Sequence, residues 1–180
     1  MKKTIIVLSL VTISVLAYWG LSDKSIRISQ QQIQQKLEQK MPVKKTFLYV
    51  LDVVLEKPFI LLDDKSQRVE LMFDILLQAE LLDDLGPYRG NIILSGEFDY
   101  RADQQQLFLG NASVESFSFD GMPSRYEGKV SSLLEKALGR HFEKTPIYSL
   151  DQGQSRWLTA GKSLKTVAIQ DKAVVLTVGL

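Results

Sequence analysis

A strictly alternating segment in the first half of the chain limits its fold more than any other feature. Between Val69 and Leu81, apolar residues occupy every second position, with mostly polar residues between them. This pattern places the two sets of side chains on opposite faces of a β-strand and fits poorly to the 3.6-residue period of an amphipathic helix. A strand of this length spans about 40 Å, roughly twice the usual value. Because strand twist accumulates with length, we expect a highly curved sheet.

A glutamine-rich stretch, residues 28–42, carries the signals of a helix start. With Ser29 as N-cap, Gln32 falls at the third helical position and completes a capping box, and Ile28 precedes the cap as half of a hydrophobic staple. Pro42 ends the pattern. The apolar positions form one stripe with a four-residue repeat: Ile33, Leu37 and Met41. We therefore predict a short amphipathic helix rather than a linker, and too short a stripe for coiled-coil heptads.

The segments between this helix and residue 120 have the alternation of strands. We predict one strand from Thr46 to Leu55, followed by a turn or bulge at Lys57–Pro58. A turn follows at Asp83–Gly90, and a hairpin turns at Arg101–Gln105. Gly110–Asn111 predicts a bulge that resets the alternation.

The last third of the chain predicts a second, longer helix and a final hairpin. Apolar residues from Ser124 onward keep helical spacing until Pro146. A short strand, "PIYSL", and a short helix around Ser155 to Leu164 come next, and the hairpin turns at Asp171–Lys172. This order predicts an α+β fold in which a highly curved antiparallel sheet wraps the long helix of the C-terminal half.

The first residues have the pattern of an export or anchor segment. Lys2 and Lys3 precede an uncharged apolar run, residues 4–21, so we expect the rest of the chain outside the cytoplasm. Cleavage after Ala17 is one possible outcome. We favour a retained inner-membrane anchor, because the aromatic pair Tyr18 and Trp19 suits the membrane interface. The predicted organisation is a signal or anchor segment, a short linker and one domain: residues 1–21, 22–27 and 28–180.

Composition excludes several classes of function. There is no cysteine, which excludes disulfides and thiol chemistry, and a single histidine, which excludes motifs that need two. Without residues 1–21 the formal charge is +1 − 2 = −1, with no basic block, so we predict no nucleic-acid partner.

No motif predicts catalysis, a metal or a cofactor. The acidic pairs Asp63–Asp64 and Asp83–Asp84 end apolar runs beside turn residues, where solvated charge is expected. His141 falls on the apolar side of the second helix without a partner motif, so we interpret it as a core or rim residue. We therefore predict a protein that is not an enzyme, with no catalytic residues, no metal and no cofactor.

Several of these motifs together resemble a known family. The first helix, the long strand and the segment "LLEKALGRHFEKTPIYSL" followed by "KTVAIQDKAVVLTV" are similar to the YceB-like bacterial lipoproteins, a family of unknown function. The most specific part places Phe142, Pro146, Tyr148 and Leu150 in a common pattern. The resemblance implies a fold of the tubular lipid-binding (TULIP) type with an apolar groove. Unlike those lipoproteins, this chain has no lipobox cysteine, which excludes lipid modification there.

The leading functional hypothesis is a membrane-tethered periplasmic protein that binds a phospholipid or acyl chain in a groove between sheet and helix. The predicted lining residues are Leu71, Phe73, Ile75 and Leu77 on the strand, and Val130, Leu134 and Leu138 on the helix. In the alternative hypothesis these residues only fill the core. The domain is then a structural or interaction module of the envelope that binds a protein partner through its first helix or a sheet edge.

Overall fold

The computed structural model describes residues 23–47, 51–79, 87–155 and 163–179. Within these ranges the chain forms three helices: α1 (Gln30–Lys40), α2 (Ser124–Lys144) and α3 (Gln152–Ser155). The strands are β1 (Lys24–Ser29), β2 (Val43–Phe47), β3 (Leu51–Asp63), β4 (Arg68–Ala79), β5 (Tyr88–Arg101), β6 (Gln106–Phe119), β7 (Tyr148–Ser149), β8 (Ser163–Gln170) and β9 (Ala173–Gly179).

The strands belong to two antiparallel sheets, and this overturns the predicted fold class. One sheet has three strands in the order β1-β9-β8, and the other has six in the order β2-β3-β4-β5-β6-β7. The described chain is mostly antiparallel sheet, and it contains no long helix wrapped by a single curled sheet. The prediction of a TULIP-like arrangement is therefore wrong. The error arose because alternation reports the length of a strand, whereas the number of sheets depends on pairing between distant segments.

The long alternating strand is confirmed as β4. Its inward residues are almost inaccessible to solvent, from Val69 at 0% to Ile75 at 3% exposure. On the opposite face, Met72, Asp74 and Leu76 are half-buried. β4 lies in the middle of the larger sheet between β3 and β5, where both of its edges are paired.

The predicted bulge at Lys57–Pro58 is also confirmed, but the strand before it is divided. Residues 43–47 and 51–63 form the separate antiparallel neighbours β2 and β3, not one strand. Within β3 the pairing with β4 shifts between Glu56 and Phe59, and Lys57 has a positive φ of 47°. The shift changes which residues point inward, so that Val53 and Leu55 are buried before it and Ile60 and Leu62 after it.

Helix α1 begins as predicted. The Gln32 amide donates to Ser29 Oγ (3.3 Å), and the Ser29 amide donates to Gln32 Oε1 (2.8 Å), which completes the capping box. Ile33 and Leu37 of the apolar stripe are buried. The sequence did not predict β1, in which residues 24–27 of the proposed linker pair with β9.

The second helix and the two hairpins are confirmed. α2 ends at Lys144, two residues before Pro146, and buries residues along one face. The turns at residues 102–105 and Asp171–Lys172 join β5 to β6 and β8 to β9. A register shift opposite Gly110–Asn111 confirms the bulge in β6. The predicted "PIYSL" strand is reduced to Tyr148–Ser149. The short helix predicted around Ser155 to Leu164 is observed at Gln152–Ser155, and its predicted end is wrong because Ser163 and Leu164 belong to β8. Residues 156–162 lie outside the described residues.

Side chains join the two sheets at one end. The Gln67 amide donates to Ile169 O (2.9 Å) and accepts from Ile169 N (2.8 Å) on β8. Asp64 accepts from the amide of Asp171 (2.7 Å) in the β8–β9 turn. Apolar residues from both sheets and from α1 and α2 share one core. In the ranges that the structure covers, no helix is long and apolar enough to cross a membrane, and the predicted anchor, residues 4–21, lies outside those ranges.

Candidate binding groove at the edge of β6

The predicted lining residues lie together, but in the core. Phe73 and Ile75 are 2% and 3% exposed, and the ring of Phe73 stacks on Phe142 of α2 at 5.7 Å. The remaining candidates are at 0% exposure: Leu71, Leu77, Val130, Leu134 and Leu138. The structure thus brings strand and helix candidates into contact, as core residues. Ligand binding by them stays a prediction.

A surface groove of about 380 Å³ lies along the second half of β6. Its lining is Val114, Glu115, Ser116, Phe117, Ser118, Phe119, Met122, Glu127 and Ser131. Successive side chains of a strand point to opposite faces, so a groove on one face would contact every second residue. Because six consecutive residues of β6 line this groove, it follows the edge of the strand.

This edge has no neighbouring strand in the described chain. β7 pairs only with Gln106 and Leu107, at the beginning of β6. The Asp120 amide donates to Arg89 O (2.8 Å), and a Cβ at Gly90 would collide with the carbonyl of Ser118, so Ser118 and Asp120 direct their main-chain groups toward β5. In an antiparallel ladder, the main-chain N–H and C=O groups of successive residues point alternately toward one neighbouring strand and away from it. The main-chain groups of Phe117 and Phe119 therefore face the open edge.

Helix α2 forms the other wall of the groove. The helix approaches β6 closely at Gly139, where an added Cβ would lie 3.6 Å from the carbonyl oxygen of Ala112. Nearer its beginning, Glu127 and Ser131 border the groove one helical turn apart. The groove therefore lies between the open strand edge and the first two turns of α2.

The chemistry of the lining is mixed. Phe117 and Phe119 are half-buried, with ring centroids 5.6 Å apart, and Met122 lies beside them. Glu115 and Glu127 are exposed carboxylates, and Glu115 lies 3.8 Å from Arg68. The groove thus offers free main-chain hydrogen-bonding groups, an apolar surface and negative charge.

Sequence reasoning missed this site. The segment "SVESFSF" has the alternation of an ordinary strand face, and nothing in it shows which edge of the strand lacks a partner. The decisive fact is the register of β7, which pairs with Gln106 and Leu107, so that even the full predicted strand from Pro146 to Leu150 would cover only the beginning of β6. The pairing of distant segments sets this register, and the sequence pattern does not report it.

The acidic pairs and the histidine have structural roles where they are described. Asp63 accepts hydrogen bonds from Ser66 Oγ (2.5 Å) and Lys65 N (3.0 Å), which hold the pKa of its carboxyl below its usual value. Asp64 accepts a hydrogen bond from the amide of Asp171 in the β8–β9 turn. His141 is half-buried and its ring meets Phe47 edge to face at 6.1 Å. The described ranges contain no group of three or more residues suited to bind a metal, and Asp83–Asp84 lie outside them.

The fold and the groove define a class of protein: a domain of two antiparallel sheets and flanking helices, with an open, helix-bordered strand edge. The chain belongs to a family of proteins of unknown function, DUF1439, whose model matches residues 28–172. The expected membership in an uncharacterised family is confirmed in this form. No curated protein is detectably similar in sequence.

Proposed function

We propose that this protein is a non-enzymatic binding module of the bacterial cell envelope, and that it binds an extended peptide segment of a partner protein along β6. The observation that carries this proposal is the groove that follows the open strand edge from Val114 to Phe119. An added strand receives main-chain hydrogen bonds from such an edge, and neighbouring pockets select its side chains.

The geometry of β6 supports strand addition over an internal ligand site. The outward main-chain groups of Phe117 and Phe119 have the spacing that an incoming strand requires. The interior offers less, because the side chains once expected to line a groove, such as Leu71 and Leu134, are closed to solvent. The surface edge is therefore the better candidate for recognition.

The charges at the groove define the chemistry of the partner. Glu115 and Glu127 border it from the strand and from the helix. A peptide with alternating apolar residues and at least one Lys or Arg would complement this lining. Its apolar side chains would contact Phe117 and Met122.

The location in the envelope is part of the proposal and derives from the sequence. Lys2, Lys3 and the apolar run of residues 4–21 support export with a retained inner-membrane anchor and a domain on the periplasmic side. The resemblance to the YceB-like lipoproteins supports the same location. A domain held near the membrane would meet partners that share this location.

A photo-crosslinking experiment in cells tests the proposal. A photoreactive residue replaces Ser116 at the groove, and a control replaces Asp103 in the exposed β5–β6 turn. We expect one defined protein trapped at position 116 and none at position 103. Phe117→Pro removes an outward amide that the domain does not use, whereas Phe117→Ala keeps it; proline is tolerated at an edge strand. Crosslinking should fall about tenfold more in Phe117→Pro than in Phe117→Ala. Equal crosslinking by the two variants, or no defined product, would contradict strand addition.

A second candidate is a hydrophobic ligand, such as a phospholipid or acyl chain, in the same groove. The half-buried side chains of Phe117, Phe119 and Met122 favour it, and about 380 Å³ is within the range of small-molecule sites, roughly 300–1,000 Å³. Native mass spectrometry of the purified full chain would show a bound lipid. The same measurement is made on Met122→Glu. The hydrophobic-ligand candidate fails if neither the wild type nor this variant contains lipid and neither takes up a fluorescent acyl probe.

A further inference from the structure

A second cavity, of about 250 Å³, lies near the end of α2 and carries a concentration of positive charge. Lys136, Arg140 and Lys144 line it at intervals of four residues, which places them on one ridge of the helix. The adjacent ridge contributes Ala137 and His141. Thr46 and Phe47 of β2 form the opposite wall.

A fourth cation acts on the same space. Burial lowers the pKa of His141, and the positive charge of Lys45 lowers it further. Lys45 lies next to Thr46 on β2, so its charge reaches the ring from the strand side. The cavity is therefore surrounded by cations from both the helix and the sheet.

These cations are not neutralised by the protein. None of the ion pairs in the described ranges includes Lys45, Lys136, Arg140 or Lys144. On the strand side, the carboxylate of Asp52 accepts a hydrogen bond from Thr46 Oγ1 (2.6 Å). Like charges four residues apart destabilise a helix. The negative end of the helix dipole offsets the charge of Lys144 in the last turn, but its effect does not extend to Lys136, two turns earlier.

We propose that this cavity, bounded by Lys136, Arg140 and His141 of α2 and by Phe47 of β2, binds the phosphate group of a phosphoester or of free phosphate. The guanidinium of Arg140 binds two phosphate oxygens in its fork geometry, and the lysines add point charges. Several cations suit a phosphate, with its several charged oxygens, better than a single carboxylate. The apolar surface of Phe47 and Ala137 accommodates the carbon part of an ester. The site is separate from the β6 groove and does not depend on the function proposed for it.

The single histidine of the chain gives the test a direct readout. Untagged full-length protein in a neutral detergent is titrated with inorganic phosphate and, separately, with a short-chain phosphatidylglycerol, while NMR follows the ring of His141. An anion in the cavity opposes the charges of Lys45, Lys136, Arg140 and Lys144, so binding should raise the pKa of His141. Sodium chloride at matched ionic strength and a short-chain diacylglycerol are the control additions.

Matched variants distinguish a site from general charge attraction. Arg140→Gln and Lys129→Gln each remove one positive charge from an exposed position of α2, but only Arg140 lines the cavity. We expect Arg140→Gln to weaken binding about tenfold and Lys129→Gln to leave it within about twofold. Circular dichroism of both variants checks that the helix content of the protein is unchanged.

The two probes separate the sources of phosphate. Binding of phosphatidylglycerol but not inorganic phosphate identifies a lipid headgroup, and the reverse result identifies a small free anion. Either result supports a phosphate site if it depends on Arg140. The proposal is overturned if neither probe raises the pKa of His141 beyond the chloride control, or if the two variants lose binding equally.

Discussion

Gln67 connects the two sheets through one side chain. Its amide nitrogen donates to the carbonyls of Asp64 (2.6 Å) and Ile169 (2.9 Å), and its amide oxygen accepts from the Ile169 amide (2.8 Å). All three bonds use the two chemically different ends of a primary amide. A residue with only acceptors cannot replace it.

We expect Gln67→Glu to lower the free energy of unfolding by about 1–3 kcal/mol at neutral pH, because the carboxylate leaves the partly buried carbonyl of Ile169 and the exposed carbonyl of Asp64 without a donor. Urea denaturation measures the change. Gln104→Glu, in an exposed turn, is the control and should change stability by less than about 0.5 kcal/mol. Similar losses in the two variants would show that Gln67 does not hold the sheets together.

His141 makes stability depend on pH in a defined direction. Burial and the charge of Lys45 lower the pKa of His141 below the value of 6.5 of a free histidine. The unfolded chain therefore binds a proton at a higher pH than the native protein. The contribution of His141 to the free energy of unfolding is fully present above pH 6.5. It is lost as the pH falls below 6.5 toward the lower pKa of the native state.

Lys45→Gln should raise the pKa of His141 in the folded protein, because burial of the ring remains while the positive charge of Lys45 is removed. The NMR titration of the single histidine measures this shift. His141→Gln should reduce the loss of stability between neutral and mildly acid pH. Lys65→Gln, in the β3–β4 turn, serves as the charge-matched control. No change of the His141 pKa in Lys45→Gln would remove the electrostatic link between β2 and α2.

At the scale of elements, helix α1 protects the exposed edge of β3. β2 covers β3 only as far as Leu55, and beyond it Gln34 donates to Pro58 O (2.6 Å) and accepts from Ile60 N (2.9 Å). Gln30, one turn earlier, accepts from Leu62 N (3.2 Å). The rise of one helical turn, about 5.4 Å, is close to the two-residue repeat of a strand, about 6.6 Å. Glutamines four apart therefore meet the free amides of alternate strand residues, which covers an edge that would otherwise invite strand pairing.

We expect Gln34→Ala to lower the free energy of unfolding by about 1–3 kcal/mol, since it leaves the Ile60 amide without a partner. Hydrogen exchange should become faster at Ile60 and stay unchanged at Phe73 in the centre of the sheet. Gln35→Ala, exposed on the same helix, is the matched control. Unchanged exchange at Ile60 would contradict the role of Gln34.

The sequence predicted local features well and long-range pairing poorly. The capping box at Ser29, the alternation of β4 and the turn at Asp171–Lys172 depend on neighbouring residues, and all three are confirmed. Strand β1 lacks a sequence signal because it contains only two apolar residues, Ile26 and Ile28, and the pattern predicts a linker for its first four residues and a helix start for its last two.

The periodicity of apolar residues could not identify the candidate site, for a related reason. Strand alternation identified Phe73 and helical spacing identified Leu134 as inward apolar side chains, but burial and ligand contact have the same sequence signature. The β6 groove exists because β7 pairs only with the beginning of β6, and the second cavity exists because β2 and α2 meet. Both depend on contacts between segments that are distant in sequence.

At the scale of the whole molecule, the smaller sheet joins distant parts of the chain. Lys24 of β1 pairs with Val178 of β9, and Ile28 pairs with Val174. β9 is also the only described neighbour of β8 in that sheet. Its buried residues Val174 and Leu176 contribute to the common core.

A chain that ends at Lys172 should therefore lose cooperative unfolding, because β1 and β8 have no sheet partner and the apolar residues of β9 are missing from the core. Limited proteolysis and urea denaturation measure this loss against the full chain. Retention of a single cooperative transition by the shortened chain would show that the six-stranded sheet folds alone.

The pairing of β1 with β9 also sets the timing of folding during synthesis. A ribosome makes β1 first and must add almost all of the remaining domain before its partner strand emerges, so the smaller sheet forms late and the loop closed by it is long. Until β9 has been synthesised, a nascent chain of this protein cannot form the smaller sheet, and β1 and β8 remain without their partner strand.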